Sequence, residues 1–218
     1  MKKTDKRNFI VSIVFLLAFI LWTVSIMVID VQNIGPQDSA VGFATLNGAF
    51  HKLTGVHMSI YDITDVMGIL TFGVVGAFGI LGLIQMFKRK SLLKVDYDIL
   101  VLGCFYVVVL AAFVFFEIFE VNYRPILIEG VLETSYPSST TMLAMCVFPT
   151  AIMQLSNRIA NNKLRLFVVS LLGAITAFMV FGRLLSGVHW LTDIVGGAIL
   201  SAALVMLYYS FVNLNLKK

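Results

Sequence analysis

Six long runs of apolar residues, separated by short polar segments, constrain the fold of this chain more than any other feature. They cover about residues 9–29, 66–87, 98–119, 138–155, 166–181 and 191–212. A helix needs about 20 predominantly apolar residues to cross the hydrocarbon core of a bilayer. Because 59% of the 218 residues are hydrophobic and only 13% are charged, a soluble domain of this length has no interior large enough for them. We therefore predict an all-α, polytopic membrane protein, one domain over residues 1–218, with six transmembrane helices.

The basic residues predict how these helices are oriented. Four Lys and Arg precede the first run, four follow the second, three follow the fourth and two end the chain, which accounts for 13 of the 16. The other three are Lys52, Arg124 and Arg183. Since cytoplasmic loops are enriched in Lys and Arg, we predict cytoplasmic amino and carboxyl termini in a cell membrane. Topology thus explains the net charge of +4, and we expect no nucleic acid partner because no basic stripe alternates with aromatic residues.

Three features of the apolar runs carry their own predictions. The first run ends in Ile29-Asp30 without the small-residue cleavage site of a signal peptide, so we interpret it as an uncleaved span. The second run has glycine at every third position, which predicts close contact with a neighbouring helix; these are Gly73, Gly76, Gly79 and Gly82. Cys104 and Cys146 fall inside apolar runs, which predicts small core residues rather than a disulfide or a metal site.

Residues 31–65 are predicted to form an outer amphipathic segment. Within it, apolar residues recur at helical spacing, at Phe43, Leu46, Phe50 and Leu53. This pattern predicts a helix that lies in the membrane interface with its apolar side down. The opposite face of that helix carries Asn47, His51 and Thr54, and His57 follows in the same segment.

Polar residues that are costly beside a membrane span occur in three blocks, all predicted to face outward. The blocks are Arg124-Pro125, Pro137-Ser138-Ser139-Thr140 and Arg183-x5-His189-x3-Asp193. An arginine offers a planar fork of donors that suits phosphate. The alternative explanation is an arginine side chain that extends to the lipid headgroups without binding a substrate. Since His189 and Asp193 are four residues apart, we expect them to share a helical face, so that the carboxylate holds the imidazole in one tautomer.

The second block is predicted to begin a helix. Free backbone N–H groups and the positive end of the helix dipole attract anions at such a position. Ordinary N-capping by a serine or threonine is the alternative explanation, and the two are compatible.

Together these blocks resemble the type 2 phosphatidic acid phosphatase (PAP2) superfamily, over about residues 98–213. That family has the blocks Lys-x6-Arg-Pro, Pro-Ser-Gly-His and Ser-Arg-x5-His-x3-Asp. The third block is kept here except that Gly182 replaces the serine. The first block has Glu117 in the lysine position, and the second has Ser139-Thr140 in place of Gly-His.

The resemblance implies a membrane lipid phosphatase whose active site lies on the outer face. It implies that His189 is the nucleophile, that it forms a phosphohistidine, and that Asp193 orients and stabilises it. The residues implied to bind phosphoryl oxygens are Arg124, Arg183, Ser138, Ser139 and Thr140. In this scheme the substrate is a lipid phosphate or diphosphate, membrane lipids are the surroundings, and no metal or other cofactor is needed because two arginines supply the charge.

The departures from the family pattern bear on the substrate. The resemblance implies that the second-block histidine protonates the leaving group, which Thr140 cannot do near neutral pH. General acid catalysis of this kind typically contributes about 10²–10⁴-fold. We therefore expect a preference for a diphosphate, such as a polyprenyl diphosphate, whose leaving phosphate departs near neutral pH with little proton donation. Alternatively His51 or His57 supplies the proton.

Two other functions fit the sequence less well. One is a non-catalytic protein that binds lipid phosphates on the same fold. The other is a transporter, which should carry ionisable groups near the membrane midplane, whereas the six runs lack charge at their centres.

Overall fold

The computed structural model describes residues 3–215, with side chains from residue 6 to residue 214. Within these residues the chain forms seven α-helices: α1 (Lys3–Val28), α2 (Ala44–Thr54), α3 (Met58–Arg89), α4 (Tyr97–Ile118), α5 (Ser139–Arg158), α6 (Asn162–Leu185) and α7 (Leu191–Asn215). Every helix except α2 is long and apolar enough to cross a membrane. The prediction of an all-α protein with six spans is therefore confirmed. The terminal basic residues on which part of the orientation rests (Lys2, Lys217 and Lys218, and the side chain of Lys3) lie outside the described residues.

Helices α5 and α7 form the centre of the bundle. About 50% of the spanning part of α5 and 44% of that of α7 is buried in the protein, against 11% for α3 and 6% for α6. Helix α7 packs against α1, α4, α5 and α6, and α5 also packs against α3 and α6. Many of the buried residues of α5 are small or polar, such as Thr141, Ala144 and Thr150. Lipid offers no hydrogen bonds to a polar side chain, and Thr150 lies where Tyr106 provides a partner, with 3.3 Å between the two hydroxyl oxygens.

Helix α2 is the amphipathic helix expected in the outer segment, but its polar face lies against the protein. The side chain of Asn47 is fully buried, and its Nδ2 donates to the carbonyl of Gly42 (2.8 Å) and to Oγ1 of Thr192 (2.9 Å). Its Oδ1 also accepts the backbone N–H of Thr192 at 3.3 Å. Leu46 and Leu53 are exposed on the other side. The polar stripe therefore attaches α2 to the beginning of α7, next to the sequence blocks.

Two helices extend further than their apolar runs indicated. Helix α3 begins at Met58 rather than near residue 66, which puts Tyr61 and Asp65 in its first two turns. Helix α6 continues to Leu185 rather than ending near residue 181, so Arg183 lies in its last turn. Hydrophobicity ends a predicted span where charge appears, but a helix continues where a charged side chain finds a partner in the protein.

Among the described residues, only Gly82 of the glycine repeat in α3 contacts another helix, so the predicted close contact is wrong for Gly73, Gly76 and Gly79. No atom lies within 4 Å of where a Cβ would stand at Gly73, Gly76 or Gly79, and at Gly82 only Ile99 comes near, at 3.3 Å. Instead, an apolar groove of about 700 Å³ separates α3 from α4.

The two cysteines differ in their surroundings. Both are free thiols, as predicted. Cys146 is buried in the core, whereas Cys104 is exposed and lines the groove between α3 and α4. The expectation of a core residue is therefore wrong for Cys104, because α4 turns that side away from α5 and α7.

Candidate active site

The three sequence blocks meet at one end of the bundle. Arg124 lies in the loop between α4 and α5, Thr140 in the first turn of α5, and Arg183 in the last turn of α6. His189 lies in the short loop before α7, and Asp193 in the first turn of α7. Since α4 and α6 end where α5 and α7 begin, antiparallel packing places all five positions at the same end. Which face of a membrane this end takes stays a prediction.

Backbone pairing within the loop before α5 fixes the position of Arg124. Its N–H donates to the carbonyl of Glu133 (3.0 Å), and the neighbouring residues Tyr123 and Thr134 form an antiparallel bridge. The indole Nε1 of Trp190 donates to the carbonyl of Tyr123 at 2.7 Å. The loop that carries Arg124 is thereby attached to the loop that carries His189.

Arg124 and His189 are in direct contact. Nη1 of Arg124 lies 3.2 Å from Nε2 of His189. A guanidinium has donors only, so Nε2 accepts and the ring proton sits on Nδ1. Burial above all, and then the charges of Arg124 and Arg183, hold the pKa of His189 well below its ordinary value. The imidazole is therefore neutral near pH 7, with the lone pair of Nε2 directed toward Arg124.

Asp193 faces the other ring nitrogen. Its Oδ2 lies 3.8 Å from Nδ1 of His189, which is too long for a hydrogen bond. The carboxylate also accepts the backbone N–H of Trp190 (3.0 Å) and Nδ2 of Asn122 (3.3 Å). Because Asp193 is the third residue of α7 and reaches back to the residue before the helix, it forms half of a capping box. His189 precedes the helix, so the expected shared helical face is wrong, and the cap brings the two side chains together.

Arg183 is a fully buried guanidinium, with only 1% of its side chain exposed. Its Nη2 lies 2.5 Å from Oδ1 of Asp65 and 2.8 Å from Oγ1 of Thr140. The ring of Tyr61 lies 4.5 Å below its Cζ, and the Cζ of Arg124 lies 5.9 Å from the same ring. Both guanidiniums therefore lie within cation–π distance of the same tyrosine ring.

Buried polar atoms without partners are concentrated here. Seven buried side-chain nitrogen and oxygen atoms of the described residues lack a hydrogen bond, and five of them belong to Arg124, Ser138, Arg183 and His189. One of the five, Nε of Arg124, lies 2.9 Å from Oε2 of Glu133, but the angle between them does not make a hydrogen bond. Leaving such a group unpaired costs about 1–3 kcal/mol. An anion with several acceptor oxygens satisfies the arginine donors together.

The remaining residues of the second block differ in accessibility. Ser138 precedes α5 and its hydroxyl makes no capping hydrogen bond, while its N–H donates to the backbone carbonyl of Asp193 at 3.1 Å. Ordinary capping therefore does not account for this hydroxyl. Ser139 lines a narrow cleft together with Arg124, His189 and Glu117. The residue in the lysine position of the first block thus does stand beside the cleft.

His51 and His57 support the loop of residues 186–190. Nε2 of His51 lies 3.0 Å from the carbonyl of Gly187, and Nε2 of His57 lies 2.9 Å from the carbonyl of Thr54. The N–H of His57 also donates to the carbonyl of Ser186 at 2.9 Å. Both rings use Nε2 for backbone carbonyls, so a role as proton donor requires either ring to move.

Sequence reasoning missed Tyr61 and Asp65, which contact the guanidinium of Arg183, and Asn122, which contacts Asp193. Tyr61 and Asp65 are four residues apart and therefore share a helical face, a spacing visible in the sequence once α3 is known to start at Met58. Among the residues that the structure describes, no three or more His, Cys, Asp or Glu side chains are grouped as metal ligands would be.

Comparisons with known proteins match the sequence to a family and the structure to a solved fold. The family model of the PAP2 superfamily matches residues 107–217. Among solved structures, the chain is similar to a transmembrane PAP2 type phosphatidylglycerolphosphate phosphatase from Bacillus subtilis, with 20% sequence identity and a TM-score of 0.63. That similarity covers 94% of this chain and 97% of the other. No curated protein matches the sequence.

Proposed function

The chain belongs to the PAP2 superfamily, and on that premise we propose that it is a membrane lipid phosphatase. The observation that carries the proposal is the state of His189. Its Nε2 lies 3.2 Å from Nη1 of Arg124. Arg183, which has unpaired buried donors, lies against the same tyrosine ring as Arg124. A nucleophile and phosphate-binding donors side by side are what phosphoryl transfer requires.

In the proposed reaction, Nε2 of His189 attacks the terminal phosphorus of the lipid. The bond from phosphorus to the leaving oxygen breaks, the leaving group keeps the electron pair, and a phosphohistidine forms. Arg124 and Arg183, with the hydroxyls of Ser138 and Ser139, bind the phosphoryl oxygens. Asp193 faces Nδ1 and stabilises the positive charge that develops on the ring. Water then hydrolyses the phosphohistidine and releases inorganic phosphate.

We further propose that the preferred substrate is a lipid diphosphate, such as a polyprenyl diphosphate. Oγ1 of Thr140 accepts a hydrogen bond from Arg183, and a hydroxyl does not donate its proton near neutral pH. A monophosphate ester expels an alkoxide, which must be protonated as it leaves. A diphosphate expels a phosphate ester whose second pKa is about 6, so it leaves without an acid.

The proposal also includes the setting of the reaction. The catalytic end of the bundle faces outward from the cell membrane, in keeping with the basic residues at the other end. Phosphate binding uses guanidinium groups, so hydrolysis proceeds without a metal ion.

The experiment is phosphate release by the purified protein, in detergent, from a panel of lipid phosphates and diphosphates. We expect release that EDTA does not inhibit. His189→Ala should abolish it, and Asp193→Asn should leave a small residual rate, because the carboxylate does not bond to phosphorus. Full activity of His189→Ala would refute the mechanism. Tight binding of the same lipids without any phosphate release would instead support the non-catalytic alternative, which the departures at Glu117 and Thr140 favour.

A further inference from the structure

We infer that Asp65 is the general base that activates water for hydrolysis of the phosphohistidine. This inference rests on the proposed function and assigns a role to a residue outside the three sequence blocks. A group that protonates the leaving group in the first step can take a proton from water in the second. Because Thr140 cannot serve as that group, the chain needs another proton acceptor. Asp65 is a carboxylate that shares one nitrogen of Arg183 with Thr140.

The position of Asp65 is defined by Arg183. Oδ1 of Asp65 and Oγ1 of Thr140 lie 2.5 Å and 2.8 Å from the same Nη2 atom, so the two oxygens are within about 5.3 Å of each other. A phosphoryl group on His189 that is held by Arg183 has its oxygens at this guanidinium. A water molecule beside that phosphoryl group, on the α3 side of Arg183, is therefore within reach of the carboxylate.

Asp65 also has the accessibility and the charge state that a base requires. About 60% of its side chain is exposed, whereas its partner Arg183 is 1% exposed. Water therefore reaches the carboxylate from outside the bundle while the guanidinium stays buried. The ion pair with Arg183 requires the carboxylate form, which accepts a proton and has none to give. Asp65 thus suits the second step and does not replace the missing acid of the first, which agrees with a preference for diphosphates.

The proposed second step is balanced as follows. The oxygen of water attacks phosphorus, and one proton of that water passes to the carboxylate of Asp65. The bond between phosphorus and Nε2 breaks, and its electron pair returns to His189. The products are inorganic phosphate, neutral His189 and protonated Asp65, which loses its proton to the surrounding water.

The chain offers two matched controls. Thr140→Val removes the other hydrogen-bond partner of the same Arg183 nitrogen, so it reproduces any effect that Asp65 exerts merely by holding that guanidinium. Asp62→Asn removes a carboxylate from the exposed surface of the same helix. Asp65→Glu keeps the carboxylate and tests whether the group itself is needed.

The test is rapid-quench kinetics of the full-length protein with a lipid diphosphate that is radiolabelled on its terminal phosphorus. Wild-type protein should turn over with little phosphoenzyme. Asp65→Asn should release about one equivalent of lipid monophosphate in a burst and then slow by at least ~10²-fold, while acid-labile, alkali-stable label accumulates on the protein. Asp65→Glu should restore part of the turnover, and Thr140→Val and Asp62→Asn should not accumulate label.

Other outcomes overturn the inference. Wild-type turnover in Asp65→Asn would refute it, as would equal slowing of the burst and the steady state without labelled protein. Accumulation of label in Thr140→Val to the same extent would show that Asp65 acts only by holding Arg183. If the wild-type protein itself releases no phosphate from any lipid, the proposed function fails and the inference fails with it. If the wild-type protein releases phosphate but Asp65→Asn behaves in one of these contradicting ways, only the inference fails and the proposed function stands.

Discussion

Substitution of Gly187 by alanine tests whether the segment of residues 31–65 holds His189 in place. Gly187 has a φ of +70°, and a Cβ on it would lie 1.9 Å from the carbonyl oxygen of Gly55. Because Cβ atoms do not come within about 3.0 Å of other heavy atoms, the loop or the outer segment must move by about 1.1 Å. His189 is two residues away. A misplacement of about 1 Å at a reacting group costs on the order of 10²-fold in rate.

Gly130 provides the control, because it has a φ of +80° and no atom within 4 Å of its would-be Cβ. Alanine at either site pays the left-handed backbone strain of about 1–2 kcal/mol, but only Gly187→Ala forces a displacement. We expect the rate of phosphate release to fall about 10²-fold in Gly187→Ala and to stay near the wild-type rate in Gly130→Ala. The thermal unfolding temperature should be lowered in both variants. Equal activities of the two variants would show that the contact with Gly55 does not position His189.

Three further predictions concern topology, substrate and pH. In intact cells, a cysteine at Glu133 should react with an impermeant thiol reagent and one at Asn161 should not; the reverse pattern would place the site on the inner face. Thr140→His should raise hydrolysis of a lipid monophosphate by an appreciable part of the ~10²–10⁴ attributed to a general acid and leave diphosphate hydrolysis nearly unchanged, whereas equal effects on both would contradict the leaving-group argument. Because burial and the two arginines hold the pKa of His189 below its ordinary 6.5, the unfolded chain gains a proton below pH 6.5 that the folded chain does not. Stability is therefore complete above pH 6.5, and below it should fall by up to about 1.4 kcal/mol per pH unit relative to His189→Gln, which thermal unfolding of both proteins measures.

The sequence predicted the spans because hydrophobicity along a single segment determines whether that segment crosses a bilayer. It also predicted that the blocks meet, since antiparallel spans return each of them to the same end. The sequence did not predict the geometry of His189 and Asp193. Helical spacing assumes a continuous helix, whereas α7 begins between the two residues. The capping contact of Asp193 with Trp190 depends on where α7 starts, and hydrophobicity fixes a helix start only to within several residues.

Tyr61 and Asp65 show a second limit. No local sequence pattern distinguishes Asp65 from any other aspartate near the start of a span. Its place in the site depends on contact with Arg183, 118 residues later in the chain. The glycines of α3 show a third limit. A small-residue stripe permits close packing, but whether another helix fills the space depends on the remaining helices, and here α4 leaves the groove open.

The charges around the cleft have a consequence for how the substrate arrives. Two guanidiniums, of Arg124 and Arg183, are balanced by the carboxylates of Glu133 and Asp65, and Glu117 adds a third negative charge at the cleft. These carboxylates therefore weaken the long-range attraction that the two guanidiniums exert on an approaching phosphate. Attraction through water depends on net charge and weakens with salt, so it contributes little to capture here. We expect instead that lateral diffusion of a lipid already held in the bilayer by its apolar chain brings phosphate to the cleft. Water-soluble phosphate esters lack that anchor, and we expect them to be poor substrates for this reason.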